Sequence, residues 1–210
     1  MISDTVDDIT AALAPGKSVA DLDEFLLPDL AMASRLLLNL ILQLDAEPQS
    51  LAYSPQKIFL EGQIVARNKA MLQHFAKTTM DIKIEFVTFR GVIPALWVDP
   101  ILIERAFFNV VVNAIKYGKP GTSIAVVPRA NQSAYYIDVS NFGEGIEAGD
   151  EDRIFDRYFR ATRRKVPGIG LGLYISRAAV EKNGAKLFVS RLADPTVFTF
   201  SFPRRFALSN

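Results

Sequence analysis

The chain has 210 residues, half of them hydrophobic and 22% charged, which suits one moderate domain with an appendage. A formal net charge of +1 gives no electrostatic basis for binding nucleic acid or an anionic membrane surface. No cysteine is present, so disulfides and thiolate metal sites are excluded.

The first 14 residues read as a short helix closed by Pro15-Gly16. Asp4, Asp7 and Asp8 stand where a signal peptide would carry its basic region. Ser18 offers an N-cap for a longer helical stretch to about residue 46, bent or split at Pro28. Within it Leu30, Leu37, Leu38, Ile41 and Leu44 recur at helical spacing, a face that needs a partner helix or a second subunit. The purest apolar stretch, 36–44, is broken by Asn39 and Gln43 and falls short of the ~20 residues that span a bilayer. A cytoplasmic protein without membrane insertion, dimeric through these helices, is the expectation. Residues 47–50 read as a linker, dividing a helical appendage (1–50) from a second domain (51–210).

A second amphipathic helix is predicted from Ser54-Pro55 to Thr79, with Ser54 as cap and Pro55 in the first turn. Alternation at Ile82, Ile84 and Phe86 then indicates a strand, followed by strand candidates at 95–98, 123–127, 135–140, 186–191 and 197–202. Helices are predicted at about 100–117 and 170–182. Hairpin-like and helical connections together predict an α+β fold, a mixed sheet with helices packed on one face.

Chemistry concentrates in four places. On the 100–117 helix, Asn109, Asn113 and Lys116 fall on one face at i, i+4 and i+7, among apolar neighbours. Polar groups beside a core need hydrogen bonds or a ligand, and amide oxygens can hold Mg²⁺ while a lysine one turn on meets phosphate. Next comes Asn141-Phe142-Gly143-Glu144-Gly145-Ile146, where a strand ends in a polar residue and two glycines that let a ligand approach the backbone. Arg153-Ile154-Phe155-Asp156-Arg157-Tyr158-Phe159-Arg160 leads into a basic stretch with Arg163, Arg164 and Lys165. Finally Gly168-Ile169-Gly170-Leu171-Gly172-Leu173 opens a helix, whose free N–H groups suit a triphosphate.

In this order and spacing the four segments resemble the ATP-binding catalytic domain of bacterial sensor histidine kinases, within the gyrase, Hsp90, histidine kinase and MutL superfamily. The resemblance covers roughly residues 55–203 and implies a two-layer α/β sandwich, the Bergerat fold. It implies that Asn109 and Asn113 bind Mg²⁺, that Lys116 contacts phosphate, and that Tyr117 lies near ATP. Gly143, Gly145 and Ile146 would line the nucleotide. Phe155 would pack beneath a lid at 161–167, whose Arg163, Arg164 and Lys165 supply cations, and Arg160 just before it would also face the nucleotide. Gly168, Gly170, Leu171, Gly172 and Leu173 would cradle the phosphates.

Three departures modify that reading. Asn141 replaces the aspartate that accepts a hydrogen bond from the adenine amino group, which predicts weaker nucleotide binding through loss of charge assistance. Asn109 stands where the superfamily's ATPases carry a glutamate base, favouring phosphoryl transfer over water activation; no general base is assigned. The only histidine, His74, sits in an amphipathic stretch and reads as structural, so either the phosphoacceptor histidine belongs to a partner protein, or the sequence is a fragment, or the kinase fold has been repurposed. The expectation is thus a histidine-kinase-type domain of two-component signalling, working with a response regulator or a histidine-bearing partner. The alternatives are a non-catalytic dimeric scaffold or phosphotransferase and, less favoured, an ATP-driven switch. Asn183-Gly184-Ala185, where these kinases often carry His-Gly-Gly, reads as turn variation.

Overall fold

The computed structural model describes residues 52–160 and 170–203. The helices expected over 1–50, with the leucine stripe and the dimer built on it, lie outside those residues. So do the lid expected at 161–167, with Arg163, Arg164 and Lys165, and the adjoining Gly168.

The first strand, β1 (Gln56–Ile58), leads into a π-helical turn (Glu61–Val65) that continues as α1 (Ala66–Met80). Then come β2 (Lys83–Phe86), β3 (Leu96–Val98), α2 (Pro100–Tyr117), β4 (Ser123–Ala130) and β5 (Ala134–Asn141). A 3-10 turn (Arg153–Phe155), α3 (Gly172–Lys182), β6 (Lys186–Arg191) and β7 (Thr196–Pro203) follow. Five strands form one mixed sheet in the order β2-β4-β5-β7-β6, in which only β2 and β4 run parallel; β1 and β3 pair as a separate antiparallel ribbon.

Alternation decides which face meets the helices. Along β5, Tyr135, Ile137, Val139 and Asn141 are buried, while Tyr136, Asp138 and Ser140 are half-buried on the opposite face. On β7, Phe198, Phe200 and Phe202 join the buried set. Against them α2 presents Phe107, Phe108, Val110, Val111, Ala114 and Ile115, with Phe107 and Phe200 ring centroids 6.4 Å apart. Each such burial contributes roughly 1.5–3 kcal/mol, which is why the apolar α2 lies inside the domain. On the outer face Asp138 accepts hydrogen bonds from Arg129 (2.5 Å) and Thr199 (2.7 Å), satisfying a carboxylate that the helices do not cover. The architecture is therefore the expected α+β one, a mixed sheet with helices on one face.

The predicted helix at 54–79 is corrected: Ser54 is no helix cap and Pro55 no first-turn residue. The Ser54 N–H donates to Asp99 Oδ2 (2.6 Å), and the chain runs on as β1 before turning helical. Asp99 is itself buried and is the N-cap of α2, its Oδ1 accepting from the Ile101 and Leu102 N–H groups. Its own N–H donates to Asn183 Oδ1 (2.6 Å), while Asn183 Nδ2 donates to Ala179 O (2.8 Å). One residue thus joins the segment before β1 and the start of α2 through its carboxylate, and the end of α3 through its own N–H.

Candidate functional site

The polar stripe of α2 behaves as its surroundings dictate. Asn109 and Asn113 are half-buried between buried neighbours, and Lys116 is half-buried between buried Ile115 and exposed Tyr117. Asn109 Nδ2 lies 3.4 Å from Gly172 O and 3.3 Å from Ser176 Oγ, so the asparagine helix and the glycine run meet directly. Burial pushes the Lys116 ammonium below the ordinary lysine range, because a desolvated cation is disfavoured. The Tyr117 hydroxyl is pushed up by burial and drawn partly back by the Arg160 guanidinium, which brings the end of the Phe155 segment to the end of α2.

The first glycine loop is fixed against α2 by contacts that only glycine permits. Gly143 bridges Gly118, the Lys119 N–H donates to Phe142 O (2.7 Å), and a Cβ on Gly143 would fall 2.2 Å from Tyr117 O. Gly145 takes a positive φ of 77°, and the Ile146 N–H then donates to Leu192 O (2.8 Å), tying the loop to the turn before β7. At its base Asn141 is only 4% exposed. A carboxamide so placed needs a hydrogen-bond partner, whether protein, water or ligand.

On the other flank Phe155 is buried edge-on against Phe198, centroids 6.3 Å apart. Arg177 of α3 lies 4.9 Å over the Phe155 ring and pairs with Asp152 (3.1 Å) and Glu181 (3.2 Å). The Tyr158 N–H donates to Gly170 O (2.9 Å), and a Cβ on Gly170 would meet the Tyr158 backbone at 2.9 Å. Leu171 is buried, Leu173 half-buried, and Gly172 opens α3. The expected residues from Asn109 to Tyr117, Asn141 to Ile146, Phe155 to Arg160 and Gly170 to Leu173 therefore form four linked segments.

His74 is half-buried on α1 with its Nε2 shielded from solvent. Two residues escaped the sequence reading. Asn183 is a buried joint between helices rather than a free turn residue. Ser176, 1% exposed, donates to Gly172 O (2.7 Å) beside Asn109; its position one turn past the glycine run was the available signal. Among the described residues no group of three His, Cys, Asp or Glu side chains could hold a metal ion, and no helix is long and apolar enough to cross a membrane. Two amide oxygens suit Mg²⁺ as hard, neutral ligands, but they complete a shell only together with phosphate and water oxygens.

Over residues 98–205, half of the chain, the sequence matches the family described as histidine kinase-, DNA gyrase B-, and HSP90-like ATPase. The chain belongs to that family. The ATPase match takes in α2, both glycine loops and the Phe155 segment. Among curated relatives, the sensor protein IrlS of Burkholderia pseudomallei is 35% identical over 111 residues, which is 50% of this chain and 24% of IrlS. The sensor protein CzcS of Cupriavidus metallidurans is 37% identical over 109 residues, 50% of this chain and 23% of CzcS. The match thus spans about a quarter of the length of either sensor. Solved structures of the same fold include the mycobacterial sensor histidine kinase MprB (24% identity, TM-score 0.61), over 71% of this chain and 97% of that one. Full-length ShkA in complex with AMPPNP aligns at TM-score 0.64 and 20% identity, over 98% of this chain and 43% of that one. Histidine kinase ThkA in complex with the response regulator TrrA aligns at 0.62 and 20%, over 96% and 57%.

Proposed function

We propose that this chain is the ATP-binding catalytic part of a protein-histidine kinase in two-component signalling. It binds Mg²⁺·ATP between α2, the Asn141 loop and the glycine run, and it passes the γ-phosphoryl group to a histidine on a partner. The observation that carries the reading is Asn141: a buried carboxamide at the base of a loop that glycines hold against α2. Asn141 Oδ1 accepts from the adenine amino group, without the charge assistance that an aspartate would give, and Nδ2 is left to find an acceptor or water.

Asn109 and Asn113 supply amide oxygens to the metal, which when bound neutralises phosphate charge. Lys116 and Arg160 offset the remainder, together with the cations that the sequence carries at 163–165. Phosphoryl transfer needs positioning and charge stabilisation more than covalent chemistry, so the lack of an assigned base is compatible with it. An amide at Asn109 cannot take a proton from water, which favours transfer over hydrolysis. A response regulator is the partner class this reading implies, supported by the ThkA complex, with pairing of two copies through residues 1–50.

The test is calorimetric titration with a non-hydrolysable ATP analogue, with and without Mg²⁺. Saturable binding that tightens with Mg²⁺ and weakens in Asn113→Ala is the expected result. Asn141→Asp should bind roughly fivefold tighter, because an ionised acceptor strengthens the adenine bond. No binding by either form would leave a kinase fold kept for its protein contacts and overturn the proposal.

A further inference from the structure

The geometry points to Ser176 as a positioning residue that sets which end of the Asn109 carboxamide faces the metal; the inference rests on the nucleotide reading above. An asparagine amide is nearly symmetric in shape, and only its oxygen ligates Mg²⁺. Turned the wrong way, Asn109 would present an NH₂ group to a cation. What selects the orientation is the start of α3. The Ser176 hydroxyl is buried, and its hydrogen is committed to Gly172 O at 2.7 Å. Its oxygen therefore faces Asn109 only as an acceptor, and it accepts from Nδ2 at 3.3 Å.

Gly172 O, 3.4 Å from the same nitrogen, is a second acceptor on that side. The reversed amide would set Oδ1 against two oxygens, a repulsive arrangement in a half-buried place. The NH₂ end is thereby held on α3, and the carbonyl end is turned away from α3. A serine hydroxyl bonded to the carbonyl four residues back is a common local motif, which by itself says nothing of function. The distinguishing feature is that its remaining acceptor site meets an amide on another helix, 67 positions away in the chain.

The experiment titrates wild type, Ser176→Ala and Ser176→Thr with AMPPNP in Mg²⁺ and in EDTA, alongside thermal melts without ligand. In Ser176→Ala the gain in affinity from Mg²⁺ should shrink roughly fivefold, while affinity in EDTA stays unchanged. Ser176→Thr, which keeps the hydroxyl, should retain the wild-type gain. An undiminished Mg²⁺ gain in Ser176→Ala overturns the assignment, as does an equal loss with and without Mg²⁺, the mark of a merely structural serine. A threonine variant that behaves like the alanine one overturns it too. Wild type that binds no AMPPNP at all overturns this inference together with the function proposed above, so the two failures are told apart by the wild-type trace.

Discussion

Lys116 is the proposed phosphate contact, and filling the site would change its chemistry. Burial holds its pKa below the lysine value of about 10.4. The charged form is therefore disfavoured by folding, and this contribution to stability improves as pH rises toward the unfolded lysine value. A triphosphate reverses the balance by favouring the ammonium, so binding in alkaline solution should take up protons and weaken as pH rises. Titrations in alkaline buffers of differing ionisation enthalpy measure that uptake directly. It should vanish in Lys116→Met, and its persistence there would place the titrating group elsewhere.

Elements were legible where their signals are local. Asp99-Pro100 and Gly118 bound α2 in the sequence as in the structure, because cap, proline and stop act within one turn. The second half of the site was equally plain, since glycine spacing and a polar stripe are read directly from residue order. The helix expected from Ser54 was wrong because what decides Ser54 is a carboxylate 45 positions later, which takes its N–H. Residues beyond Val127 were not read as strand, since Pro128 has no N–H to donate. The structure admits it because β2 pairs with β4 only along Ser123–Val126, leaving Pro128 on an open edge. Ser176 and Asn183 were missed for the same reason as Ser54: their partners lie on other elements. Asp99→Ala tests the shared joint. It removes the α2 cap and takes the carboxylate acceptor from three N–H groups, those of Ser54, Ile101 and Leu102, for a loss of about 2–3 kcal/mol, or roughly 5–10 °C in melting temperature. A variant that melts as wild type would show the joint to be incidental.

At the scale of the molecule, the site draws on segments from Asn109 to Leu173, and β4 and β5 lie between its two halves. A nucleotide would therefore bridge parts of the fold that the chain connects only at a distance. Saturation at about 100 times Kd adds about 2.7 kcal/mol, which should raise the melting temperature by roughly 5–10 °C. Mg²⁺ alone should raise it little, since no carboxylate cluster awaits a bare ion among the described residues. A rise with Mg²⁺ alone as large as with Mg²⁺·nucleotide would point to a metal site of a different kind. The Tyr158–Gly170 hydrogen bond has a consequence of another sort. It holds together the two ends of the span between them, so that span can be lengthened, shortened or exchanged at small entropic expense. Sequence drift there is decoupled from the register of the glycines behind it, which makes the span a natural place for evolution, or for an inserted reporter, to alter response without refolding the cradle.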